Sequence, residues 1–166
     1  MTNKRRRWLR WSLQLTAVVV FFVLFNLYNT RGAPSGPAPA ISGQLLDATP
    51  VSLQALRGKP VLLQFWASWC PICGIQQATI DAIADDYSVL SVAMDESTPD
   101  EIRAYMEDKG VDYPVLHDPD YHIARQYGIR GVPTSFIIDR LGNIRFVESG
   151  YTSSMGLRIR LWWAGR

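Results

Sequence analysis

The sequence predicts an α/β fold: a central mixed β-sheet flanked by helices, with an N-terminal β-hairpin extension and one transmembrane helix ahead of it. Three observations carry this. Residues 60–66 and 88–94 are short, nearly continuous apolar runs, as expected of strands covered on both faces. The stretch between them has helical periodicity, and strand, helix and strand with short joins imply a parallel right-handed crossover. Two further strand-like runs then flank Leu141-Gly142 and add a hairpin.

The chain has 166 residues, which suits one domain plus an accessory segment. Apolar residues make up 48%, enough for a core, and this is globular composition rather than disorder. The net charge of +2 hides an asymmetry. Lys4, Arg5, Arg6, Arg7, Arg10 and Arg31 are 6 of the 17 basic residues, and no acid accompanies them in 1–31, so residues 32–166 hold 11 basic residues against 15 acidic ones. Alone, such a run reads as a solvated tail or a nucleic-acid arm. The apolar stretch after it argues otherwise, and no nucleic-acid partner is expected. Residues 11–28 contain no Lys, Arg, His, Asp or Glu, and their length is close to the roughly 20 residues that cross a bilayer. A positive cluster before an apolar stretch stays on the cytoplasmic side. The expected layout is a basic cytoplasmic tail over 1–10, a transmembrane anchor over 11–28, a linker over 29–40 and the folded domain over 41–166. A cleaved signal peptide is the rival reading, although Arg31 sits badly for cleavage after Ala33. No cysteine follows the apolar run, which excludes lipoprotein processing.

The small residues and prolines of 30–40 suggest a tether without a core of its own. Residues 43–56 alternate loosely about the turn Asp47-Ala48-Thr49-Pro50 and predict a hairpin. From Pro71 to about Tyr87 a helix is expected, with Ile72, Ile75, Thr79, Ile80, Ile83 and Tyr87 on one face and Gln77, Asp81 and Asp85 opposite. Thr98, Pro99 and Glu101 form a capping-box signature, and Gly110 ends that helix. Asp118-Pro119 repeats the start signal and Gly128 the stop, with a short strand over 113–116 between the two helices. Residues 134–139 and 143–147 form the hairpin. The last helix, from about Thr152, buries Leu157, Leu161 and Trp162.

The two cysteines sit as Cys70-Pro71-Ile72-Cys73, where a buried strand meets a helix N-terminus. Unpaired backbone N–H groups and the helix dipole favour an anion there, so a Cys70 thiolate is stabilised and can attack a disulfide. Cys73, one turn inside, can resolve the mixed disulfide. Other readings of the pair are a structural disulfide, which closes a tiny loop and stabilises little, and half of a zinc site, for which only His117 and His122 remain as further His or Cys ligands. The only cofactor expected is the Cys70–Cys73 disulfide itself, with no metal. Gly131-Val132-Pro133-Thr134 can hold a cis bond entering a strand.

The run Phe65-Trp-Ala-Ser-Trp-Cys-Pro-Ile-Cys73 resembles the active-site stretch of thioredoxins, and Tyr127-Gly-Ile-Arg-Gly-Val-Pro-Thr134 is similar to the segment bearing their cis-proline. The likeness spans about 41–163. Gly58-Lys59-Pro60-Val61-Leu62 and the extra helix over 98–110 resemble the membrane-anchored TlpA-like group of bacterial envelopes, and Cys-Pro-Ile-Cys the suppressor-of-copper-sensitivity D type. The resemblance implies a thioredoxin-like fold, Cys70 as nucleophile, Cys73 as resolving thiol and Pro133 as the cis-proline. It also implies a substrate-facing set of Trp69, Pro71, Ile72, Val132 and Pro133, with the Val132 backbone pairing with extended substrate. Trp66 matches a flanking aromatic and is expected to pack. Three positions depart from the pattern: Gln64 stands where thioredoxins bury an Asp beneath the resolving cysteine, Ala78 where they carry a helix proline, and Pro71 directly after the nucleophile differs from the thioredoxin Gly-Pro pair and is more like the oxidant type. Proton transfer at Cys73 then needs water or another group.

The expected function is a protein-disulfide oxidoreductase that reduces or exchanges disulfides of envelope proteins. It is held in a bacterial inner membrane by a single pass with its catalytic domain in the periplasm, and fed by a membrane electron-transfer partner. A non-catalytic scaffold of the same fold and a thiol peroxidase are the alternatives.

Overall fold

The computed structural model describes residues 2–29 and 31–166; the side chains at 2–7, 9, 22, 25–27 and 29 lie outside the described residues, and with them most of the basic tail, Lys4 to Arg7. The first element is a 28-residue helix, α1 (Thr2–Asn29). Among the described residues no helix is long and apolar enough to cross a membrane, so the expected transmembrane helix is not confirmed. Leu13, Leu15, Val18, Phe21 and Leu24 of α1 are all exposed.

The domain is an α/β fold built on a mixed sheet of β1 (Gly36–Pro37), β4 (Val61–Trp66), β5 (Ser88–Ala93), β6 (Val115–His117), β7 (Thr134–Ile138) and β8 (Asn143–Ser149), in the order β1-β8-β7-β4-β5-β6. Between β1 and β4 in the chain, β2 (Ser42–Gln44) and β3 (Pro50–Ser52) form the expected hairpin as a separate small sheet. Strand β4 is central and buried at every position. It runs parallel to β5 and antiparallel to β7, as the crossover and hairpin patterns require. Alternation along β4 sends Leu62, Gln64 and Trp66 to one face and Val61, Leu63 and Phe65 to the other. The first face is covered by Ile80 and Ile83 of α2 (Pro71–Ala84), Ile102 and Met106 of α3 (Pro99–Lys109), and Leu157 and Leu161 of α5 (Ser154–Ala164). The second packs on Ala124 of the short α4 (His122–Gln126), Tyr127 and Leu53.

Helix α3 has the predicted caps: Thr98 and Glu101 bond reciprocally, Pro99 opens the helix, and Gly110 closes it in the left-handed region at φ 63°. Four expectations are corrected. The buried face of α2 is Cys73, Gln76, Gln77, Ile80 and Ile83, whereas Ile72 and Ile75 are 48% and 70% exposed. The reason is phase: at about 100° per residue, Ile75 lies about 140° round from Ile80. Helix α4 begins at His122, not at Pro119, because Tyr121 takes a left-handed conformation at φ 56°. Asp118 still caps it at a distance, accepting from Ile123 N at 3.2 Å and Ala124 N at 2.9 Å. In α5, Ala164 and not Trp162 completes the buried face with Leu157 and Leu161. Finally, residues 33–39 are docked on the domain: Gly36 and Pro37 add an edge strand to β8, and Ala33 and Ala38 pack on the core.

Candidate active site

Strand β4 delivers the chain to a three-residue loop, 67–69, and Cys70 then forms the N-cap of α2 with extended backbone at φ −93°, ψ 110°. Pro71 takes the first helical position, where its missing N–H costs nothing. The Cys70 sulfur accepts the N–H of Cys73 at 3.2 Å, the bond a serine or aspartate oxygen makes at an ordinary N-cap. No acidic residue sits in the first turn of α2, so nothing there opposes negative charge on that sulfur. Cys70 and Cys73 are joined in a disulfide with Cα atoms 5.2 Å apart. Their residues are 6% and 2% exposed, so each sulfur is screened and the approach to Cys70 is along the rim.

The rim is apolar. Trp69 is 63% exposed, Pro71 and Ile72 are exposed beside it, and Ile75 continues the surface one turn further along α2. Opposite lies the 131–134 segment, with a cis bond between Val132 and Pro133. The Val132 carbonyl oxygen is 3.5 Å from the Cys70 sulfur. A disulfide sulfur carries no hydrogen, so this is a contact in the oxidised protein and becomes an S–H···O bond only when Cys70 is a thiol. Pro133 is buried and Val132 half-buried. The structure thus brings together Trp69, Cys70, Pro71, Ile72, Cys73, Val132 and Pro133.

Trp66 packs, as expected: its ring stacks on Tyr105 at 5.7 Å, and its Nε1–H donates to Ser91 Oγ at 3.2 Å. Gln64 is buried on the sheet face that α2 covers, and its Oε1 accepts from Ser135 Oγ. Its amide is therefore engaged within the sheet, and it offers no titratable proton to Cys73. Gln76, one turn past Cys73, is 1% exposed, with neither amide atom paired to a protein group. His117 Nε2 lies 2.8 Å from Asp95 O, and His122 bonds Gln126. Among the described residues no cluster of three or more His, Cys, Asp or Glu could hold a metal.

Sequence reasoning missed Asp95, just past the end of β5. Its carboxylate accepts Ser68 N at 2.7 Å and Ser97 N at 3.1 Å, so it fixes the 67–69 loop that carries Trp69 and presents Cys70. The Asp-x-Ser spacing, which favours a local turn, was the available signal. Burial disfavours the Asp95 charge, but the hydrogen bonds from Ser68 and Ser97 outweigh it and hold its pKa below the ordinary value. The folded-state pKa is lower than the unfolded one. This contribution to stability is therefore complete above about pH 4 and fades as pH falls through the depressed value. An Asp95→Ala chain is expected to lose about 2–3 kcal/mol at pH 7, and to lose less against wild type at pH 3. Urea midpoints at the two pH values check this; an equal deficit at both would remove the carboxylate from the explanation.

A family model described as the AhpC/TSA family matches residues 34–147. The chain is similar to a thioredoxin-like protein of Haemophilus influenzae, 29% identical over 154 residues that cover 90% of this chain and 92% of that protein. It is similar to the thiol-disulfide oxidoreductase ResA of Halalkalibacterium halodurans, 26% identical over 158 residues and 90% of each. Its fold matches the crystal structure of a thiol:disulfide interchange protein of the thioredoxin family from Chlorobium tepidum, with a TM-score of 0.66 and 29% identity over 80% of this chain and 97% of that one.

Proposed function

Because the chain belongs to the AhpC/TSA family and is a thioredoxin-like thiol–disulfide oxidoreductase, we propose that it works at a bacterial inner membrane, reducing or exchanging disulfides of envelope proteins from the periplasmic side. The observation that carries the chemistry is the Cys70 sulfur at the N-cap of α2, hydrogen-bonded by Cys73 N and facing Val132 O. In the reduced protein the Cys70 thiolate attacks one sulfur of a substrate disulfide. That S–S bond breaks, a Cys70–substrate disulfide forms, and one substrate thiolate leaves. Cys73, deprotonated, then attacks the Cys70 sulfur, expels the second substrate thiolate and leaves Cys70–Cys73 oxidised. Two electrons and two protons pass to the substrate. A membrane electron-transfer partner reverses the chain's own oxidation, and no cofactor beyond the dithiol takes part.

Trp69, Pro71 and Ile72 receive the apolar side chains of an unfolded or extended client, and the Val132 backbone pairs with its main chain. The anchor reading rests on the sequence of residues 11–28, whose 18 residues would rise about 27 Å as a helix at 1.5 Å per residue against a hydrocarbon core of about 30 Å. Within 11–28 there is no charged residue, and the basic residues 4–10 precede it on the side expected to remain cytoplasmic.

Redox titration of the full chain in detergent, across defined thiol–disulfide buffers, tests the reading. Trp66 and Trp69 flank the disulfide, so emission should change in a single reversible two-electron step. A potential near about −270 mV marks a reductant and one near about −120 mV an oxidant. Absence of any reversible transition would leave only a scaffold.

A further inference from the structure

Residues 32–39 do not hang between helix and domain. Gly36 and Pro37 pair with Ile144 and Asn143 of β8, and Ala38 N–H donates to Gly142 O at 2.9 Å. The Tyr127 hydroxyl donates to Pro39 O at 2.7 Å; burial raises that phenol's pKa, so it remains a donor. Ala33 and Ala38 pack on the cluster of Phe65, Tyr127 and Phe136. At the other end of this strap, backbone meets backbone. Gly128 holds φ +62°, and a Cβ built there would lie 2.4 Å from Gly32 O. Only glycine permits that approach. Four residues on from Gly128 is Val132, whose carbonyl faces Cys70. Toward α1, Arg31 N–H returns to Tyr28 O at 3.3 Å, so the strap meets the helix almost at once.

We propose that this strap is a fixed mount, joining the active-site end of the domain to α1 with only residues 30 and 31 between. The Cys70–Cys73 pair then serves a partner embedded in the same membrane that presents its disulfide or dithiol at the surface. The proposal rests on the reading of α1 as an anchor. Chain reach sets the scale. At about 3.5 Å per residue, the paths from Asn29 to Gly32 and from Gly128 to Val132 leave the disulfide within about 30 Å of the helix end. A free segment over 30–40 could alone span about 38 Å and would let the site range out to soluble clients. Docking of the strap removes that freedom and also covers part of the β8 edge.

The full chain reconstituted in phospholipid vesicles tests this. Ala38 N–H should exchange with deuterium at least about 100-fold slower than in an unstructured peptide. The reduced chain should act on a pyridyl disulfide carried by phosphatidylethanolamine headgroups: Cys70 displaces thiopyridone, then Cys73 releases the lipid thiol. Inserting a flexible Gly/Ser spacer of about 20 residues after position 30 should slow that reaction about fivefold, by lowering the effective concentration of the site at the surface, while leaving reduction of soluble insulin unchanged. Free exchange at Ala38, or a headgroup reaction indifferent to the spacer, overturns the mount. Failure of the anchor is separately visible: alkaline carbonate would then release the chain from vesicles, and the mount falls with it. A carbonate-resistant chain that exchanges freely at Ala38 overturns the mount alone.

Discussion

A Cys73→Ser chain is expected to accumulate as a covalent Cys70–client disulfide and to lose at least about 10³-fold in multiple-turnover insulin reduction, which is about 4 kcal/mol of transition-state stabilisation. The magnitude comes from the role of Cys73. Its Cα is 5.2 Å from that of Cys70, on the first turn of the same helix, so resolution is intramolecular, and well-placed groups act at effective molarities of about 10⁵ M or more. External thiol at millimolar concentration cannot replace that. The nucleophile should survive the change, because the bond it accepts comes from the backbone N–H at position 73 and not from a side chain. Single-turnover attack on a disulfide should therefore stay within a few-fold of wild type. Cys70→Ser, by contrast, should abolish attack itself and form no adduct. Non-reducing electrophoresis with mass measurement, beside the insulin assay, separates the two. Unchanged turnover in Cys73→Ser would mean that one thiol suffices and would return the thiol peroxidase to consideration. Unchanged turnover in Cys70→Ser would end the catalytic reading.

Much of this site was legible because the relevant signals are local. A cysteine before a proline at a helix start, a capping box at Thr98 and a Gly-Val-Pro run entering a strand all act within a few residues, and each lies where it was expected. Strands β4 and β5 were legible because a parallel pair buried on both faces reads as a nearly continuous apolar run, broken here only by Gln64, Ser88 and Ser91. The features that failed depended on long-range packing. The phase of α2 was set by its isoleucines, but the sheet and α5 claim the side bearing Gln76 and Gln77. Ile72 and Ile75 are left beside the disulfide, where an apolar surface suits client contact better than it suits solvent. Only the local half of Asp95's role, the Asp-x-Ser turn to Ser97, could be read from the sequence, because its other partner, Ser68, is 27 positions away. The strap looked like a tether because Gly, Pro and Ala are common to linkers and to edge strands that press close to another backbone. Only the three-dimensional pairing with β8 separates the two.

The largest stability effect should come from the sheet face away from the disulfide. Phe136, wholly buried in β7, meets Tyr127 edge-on at 5.1 Å and Phe65 at 5.7 Å, and Phe65 meets Tyr127 at 5.3 Å. Phe136→Ala removes the ring, the two aromatic contacts and the filling between β7 and the 122–127 segment, and is expected to cost about 3–5 kcal/mol. Against a typical domain stability of about 5–15 kcal/mol this is a large share. The urea midpoint should fall with little change in slope. Phe136→Leu keeps most of the volume and should cost well under half as much. The damage should spread in one direction. Tyr127 holds Pro39 through its hydroxyl and opens the 127–134 run, so loosening the triad frees the strap before it disturbs Cys70, which packs with Cys73, Trp66 and Ile80 on the other face. Protection of Ala38 should thus drop further than global stability requires, while the redox potential of the folded fraction stays within a few millivolts. A loss below about 1 kcal/mol, or a potential that moves with it, would show that the two faces of the sheet are not the separate units their packing describes.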